Sequence, residues 1–137
     1  MSRVSGLRLA ELLADRLQAA FPVHFSAEAI DGRVRIAAQS PPSDAESHVA
    51  SLLDGHEDPN EGLMTACLNA LGLAQDFVSE TLTEPWPPDR TDAGLRGSYT
   101  APYASVDGDV VRIGFRDRER AVLELPGIRL ADLLEPD

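Results

Sequence analysis

The sequence predicts an α+β fold, an antiparallel sheet packed on a central helix in the order α-β-β-α-α-β-β-β-α, with residues 1–137 as one globular domain. Three observations carry that expectation. Apolar side chains in residues 6–21 and 62–83 recur every three or four positions, the period of a helix with one buried face. Residues 23–38 and 103–125 read as strand pairs around Asp31-Gly32 and Asp107-Gly108, and such dipeptides tolerate the positive φ that tight hairpin turns require. The chain has 137 residues, 43% of them hydrophobic and 26% charged, enough to bury one core without disulfide or metal.

Each element follows from its residues. In the first helix Leu9, Leu12, Leu13, Leu17, Ala20 and Phe21 share one side, Ser5 caps the start and Pro22 stops the end. The two-residue turn at Asp31-Gly32 fixes the hairpin register: Phe25 faces Ala38, Ala27 faces Ile36 and Ala29 faces Val34 on the inner side. Glu28 meets Arg35 on the outer side, and His24 falls opposite Gln39. Ser43-Asp44-Ala45-Glu46 has the form of a capping box and predicts a short helix over 44–54 ending at Gly55. The central helix, 62–83, carries a wide apolar stripe through Leu63, Cys67, Leu71, Ala74 and Val78. Thr65, Asn69, Asp76, Ser79, Glu80 and Thr83 remain for its wet side.

Pro85, Pro87, Pro88 and Pro102, with Gly94 and Gly97, make 84–102 a Pro/Gly-rich loop. Strands are expected at about 103–106, 109–116 and 120–125, then a short helix at 128–134. Gly6-Leu7-Arg8-Leu9-Ala10-Glu11-Leu12-Leu13 returns as Gly127-Ile128-Arg129-Leu130-Ala131-Asp132-Leu133-Leu134, with six identities in eight. The hairpin echoes run in the opposite order, so shared helix and turn grammar explains them better than duplication.

Charge narrows the function. The net charge is -11, and residues 39–92 alone hold eleven acids against Arg90, a local balance of -10. Such a surface repels nucleic-acid phosphates and anionic membranes, so neither is an expected partner, while a basic protein segment would be steered toward it. All twelve basic residues are Arg, which excludes lysine Schiff bases and phosphate-loop lysines. The single cysteine, Cys67, cannot close an intrachain disulfide and suits a reducing compartment. With no apolar run long enough to span a membrane, the expected location is cytoplasmic.

No motif specifies a reaction or a cofactor. A serine-nucleophile elbow and a glycine-rich phosphate loop are both missing. His48 and His56 lie amid Asp54 and Glu57, a donor set that offers nitrogen and oxygen to a divalent ion, although Pro59 and Asn60 should break the helix a metalloprotease motif needs. This cluster supports the alternative reading, a metal-dependent enzyme or metal binder. Trp86, the only tryptophan, stands between prolines and is either a plug on the domain or an anchor for a partner. With Asp76, Glu80 and Glu84 it forms the candidate partner-binding set.

The helix 6–21, the hairpin at Asp31-Gly32, the helix 62–83 and the meander 103–125, in a small acidic chain, resemble the class I type III secretion chaperones and their relatives outside secretion systems. The resemblance implies a homodimer formed through the central helix and adjoining strands, whose outer surfaces take up extended segments of another protein. It also implies a third strand before the central helix, where the residues at 44–54 themselves read as a helix. The expected function is a non-enzymatic protein-interaction module, chaperone-like or regulatory.

Overall fold

A computed structural model describes residues 3–39, 42–88, 100–117 and 121–134. Helix α1 (Gly6–Ala20) starts where Ser5 Oγ accepts the Arg8 N–H at 3.2 Å and stops at Phe21, whose extended backbone leads into Pro22. Its buried face carries Leu9, Leu13 and Leu17. Strands β1 (Phe25–Ile30) and β2 (Arg33–Gln39) pair antiparallel in the expected register, Phe25 opposite Ala38 through Ala29 opposite Val34. Asp31 and Gly32 turn the chain with φ of 52° and 79°, the two positive values of the mirror-image turn that matches strand twist. His24 and Gln39 close the other end: the His24 carbonyl accepts the Gln39 N–H, and its Nδ1 lies 3.1 Å from Gln39 Oε1.

The predicted helix over 44–54 is half wrong. Residues Pro42–Ser47 form β3, antiparallel to β2, and only Val49–Asp54 are helical as α2. The capping-box pattern misled because Asp44 and Glu46 have partners on the neighbouring strand β2, distant in sequence. Ala45 turns inward opposite Ile36, while the two acids share the outer face with Arg33 and Arg35. Arg33 Nη1 binds Glu46 Oε2 at 2.7 Å, and Arg35 binds Asp44 Oδ2 at 2.8 Å and Glu28 Oε1 at 2.9 Å. Hydrogen bonds to Asp44, then to Glu28, hold the Arg35 guanidinium above its usual pKa. Cross-strand tertiary pairing thus overrides a local helix signal.

The central helix α3 (Pro59–Leu82) starts three residues earlier than expected. Pro59 opens it instead of breaking it, because the first turn leaves its N–H groups unpaired and proline has none to lose. Asp58 Oδ1 caps the turn from 2.9 Å at the Asn60 N–H, and Thr83 ends the helix in the left-handed region. Leu63, Ala66, Cys67, Ala70, Leu71, Ala74 and Val78 are buried, and Asn69, Asp76, Glu80 and Thr83 are exposed as the periodicity requires.

The second sheet comprises β4 (Ala101–Asp107), β5 (Val110–Arg116), β6 (Ala121–Glu124) and the short β7 (Ile128–Arg129). β5 pairs β4 on one edge and both β6 and β7 on the other. Pro102 lies inside β4, which reaches two residues into the predicted loop, because an edge strand can spare one N–H. The expected short helix at 128–134 is a correction: β7 pairs Val110 and Val111, and only Leu130–Leu133 coil, as a 3-10 turn. The two echoing segments therefore differ in structure and touch each other, with the Ser5 N–H donating to the Leu133 carbonyl at 2.7 Å. The first has a serine cap; the second follows Pro126 and meets an open edge of β5.

Both sheets and all helices feed one core, in which α3 touches β2, β3 and β4. Among the described residues no helix is long and apolar enough to cross a membrane. Cys67 lies fully inside, and burial pushes its thiol up to about 12. A raised thiol pKa contributes stability that is complete below the unfolded value near 9 and lost as pH climbs from there toward 12. Native protein at pH 8 should thus react with a thiol reagent orders of magnitude more slowly than protein in denaturant, and stopped-flow labelling measures the ratio; equal rates would place the thiol at the surface.

Candidate functional site

The last turns of α3 and the chain that leaves them build a polar cleft. Beyond Thr83 the segment Pro85-Trp86-Pro87 folds back along the helix and is clasped by Ser79. Ser79 Oγ accepts the Trp86 N–H at 2.9 Å and donates to the Trp86 carbonyl at 3.3 Å. The indole enters the core and is only 5% exposed, edge-on to Phe21 at 5.5 Å and to Phe115 at 5.3 Å between ring centres. Of the two roles considered for Trp86, the plug is the one its position fits, and an exposed anchor is not. One helical turn earlier, Gln75 Nε2 donates to the Thr100 carbonyl at 2.7 Å and holds the start of β4 against α3.

These clasps border an open cleft of about 240 Å³ lined by Gln75, Asp76, Ser79, Pro85, Trp86, Pro87 and Thr100. Among the described residues Asp76 is the one ionisable side chain in that lining. The Ser79 hydroxyl and the Gln75 amide N–H already have partners, so the carboxylate dominates what the cleft offers a ligand. Asp76 and Glu80 stand one turn apart on the exposed side of α3, with Glu84 just past its end. Like charges at this spacing repel, and carboxylates at the negative end of a helix dipole add to the cost, on the order of a few tenths of a kcal/mol for each effect. The last turn of α3 holds no basic residue. Among the described residues no arginine forms an ion pair with any of the three.

The metal alternative does not assemble. His48 precedes the first residue of α2 without a side-chain cap bond, Asp54 ends the helix, and His56 and Glu57 follow on the exposed connection to α3. Among the described residues no three His, Cys, Asp or Glu side chains are grouped to hold an ion. A stretch of sequence dense in donors has spread them along a helix and a turn, where each points to its own solvent. Of the candidate partner-binding residues, Asp76 and Trp86 line the cleft and Glu80 and Glu84 lie exposed beside it, while Gln75 and Ser79, which hold its walls, carry no signal in the sequence. Helical spacing places Ser79 on the wet side, whereas it is half-buried under Trp86, and nothing in a linear spacing of seven residues marks it as the clasp.

Fold and cleft together define a small α+β domain with an acidic helix face beside a recess lined by the Pro85-Trp86-Pro87 segment. Compared with protein-family models, with curated proteins and with solved structures, the chain has no match in any of the three.

Proposed function

We propose that this protein is a non-enzymatic, chaperone-like or regulatory interaction module that binds a basic, extended segment of another protein along Asp76, Glu80 and Glu84. The observation that carries this reading is the uncompensated stripe itself. Local rules of helix design are broken where function requires it, and the like-charged Asp76–Glu80 pair, with Glu80 in the last turn and Glu84 just beyond it, is such a breach. A bound cationic segment would remove the repulsion. The third strand at Pro42–Ser47 supports the chaperone-like reading, since the resemblance implies a strand there and the local pattern does not.

The test is calorimetric titration of a short arginine- and lysine-rich peptide into the protein and into Asp76→Asn/Glu80→Gln/Glu84→Gln. The expected result is binding to the parent chain that weakens with salt, and a loss of about tenfold or more in the variant. Equal affinity for both chains would overturn the reading.

The same reading includes a homodimer through the outer face of α3. Leu68 is 38% exposed on that face, and β3 and β4 each pair on one side only among the described residues. Light scattering should give twice the chain mass of 14.7 kDa at tens of micromolar; a strict monomer would remove the dimer.

A further inference from the structure

The cleft beside the stripe is too small for most cofactors and well suited to one side chain. Its volume of about 240 Å³ falls below the roughly 300–1,000 Å³ typical of small-molecule pockets. Pro85, Trp86 and Pro87 supply apolar wall, and Asp76 supplies a negative charge at the lining. Ser79 is committed to the Trp86 backbone in both directions and the Gln75 amide N–H donates to Thr100, which leaves the Asp76 carboxylate as the charged group offered to a ligand by the described lining residues. A cation on an apolar stem satisfies what remains.

We infer that this cleft seats one arginine side chain of the bound segment, its stem along the Pro85-Trp86-Pro87 wall and its guanidinium on the Asp76 carboxylate. The inference rests on the proposed function above and names the specificity of that site. Arginine fits better than lysine for two reasons. The guanidinium is weakly hydrated and planar, so it gives up water readily, and it meets a carboxylate through two parallel hydrogen bonds. An ammonium is compact and strongly hydrated, and a single carboxylate repays less of the water it would lose.

The protein carries its own reporter, because Trp86 is the only tryptophan and lines the cleft. The probe is a Gly/Ser peptide with a central arginine flanked by lysines, compared with the same peptide carrying citrulline or lysine at the centre. Citrulline keeps the shape and removes the charge. The arginine peptide should shift Trp86 emission in a saturable way, and citrulline should weaken binding about tenfold. In Asp76→Asn the arginine peptide should lose the same factor, and the difference between arginine and citrulline should vanish, the signature of a direct pair. If no peptide binds, the interaction reading itself fails. If the peptides bind with affinities indifferent to the central residue, or lysine equals arginine, the stripe stands and the arginine seat is wrong. Asp76 is exposed, and the comparison of peptides on the parent chain needs no variant at all.

Discussion

Trp86→Ala should lower the free energy of unfolding by about 3–5 kcal/mol, the range for removing a buried aromatic ring. The indole closes the end of the core where α1 hands over to β1, packed edge-on between Phe21 and Phe115. Phe21 also meets Phe25, and Phe25 meets Phe77, so the ring removed is one member of a connected aromatic set. Its loss leaves a hole that α1, α3 and β5 can fill only by moving together. Since a domain of this kind is stable by only about 5–15 kcal/mol, the variant should melt on the order of 10 °C lower. Far-UV circular dichroism follows the transition without the tryptophan signal. A change under about 1 kcal/mol would mean that the indole is not part of the core.

Gly114→Val should cost about 1–3 kcal/mol by overpacking, and for a reason opposite to the first. A Cβ at this position of β5 would stand 2.5 Å from the Leu123 carbonyl oxygen on β6 and 3.0 Å from the Tyr103 ring on β4. Backbone cannot swing aside as a side-chain tip can. Either β6 leaves its register or Tyr103 lifts from the sheet, where burial and the nearby Glu124 hold its phenol above the usual pKa while Arg112 and Arg116 oppose them. The companion substitution has the other sign. At Gly72, in the interior of α3, the nearest atom to an added Cβ is Pro102 Cγ at 3.9 Å, so Gly72→Ala should stabilise by about 0.5–1 kcal/mol through helix propensity. Urea unfolding of both variants distinguishes a crowded glycine from a merely permissive one, and a stable Gly114→Val would refute the packing of β4, β5 and β6.

The elements legible in the sequence are those whose signals are local and agree with their surroundings. Ser5 before an apolar period, Asp31-Gly32 between alternating strands and Asp107-Gly108 each determine a structure within about ten residues, and α1, the first hairpin and the β4–β5 hairpin follow. What failed did so where a distant partner outweighed a local pattern. Asp44 and Glu46 look like cap residues until Arg33 and Arg35 lie beside them on the sheet face. Gly127–Leu134 looks like the first helix until the edge of β5 offers backbone hydrogen bonds at Val110 and Val111.

The candidate site divides in the same way. Asp76, Glu80 and Glu84 were legible as a stripe because helical period alone puts Asp76 and Glu80 on one face and carries the chain to Glu84 just beyond. The recess beside them was not. It exists because Ser79 and Gln75 turn from the exposed side to hold Trp86 and Thr100, contacts that depend on where the chain returns after the helix. Conversely, the histidines and carboxylates of 48–57 are close in sequence and disperse in space, since α2 and the turn after it separate them.

The central claim is that a cationic protein segment binds along the carboxylate stripe and its neighbouring cleft. Amide chemical-shift mapping with the arginine peptide tests it most directly. The account predicts shifts concentrated on the amides of Gln75 to Glu84, Trp86 and Thr100, fading as salt is raised. Shifts confined to the outer face of β1, β2 and β3, or none at peptide concentrations that saturate other acidic surfaces, would contradict it.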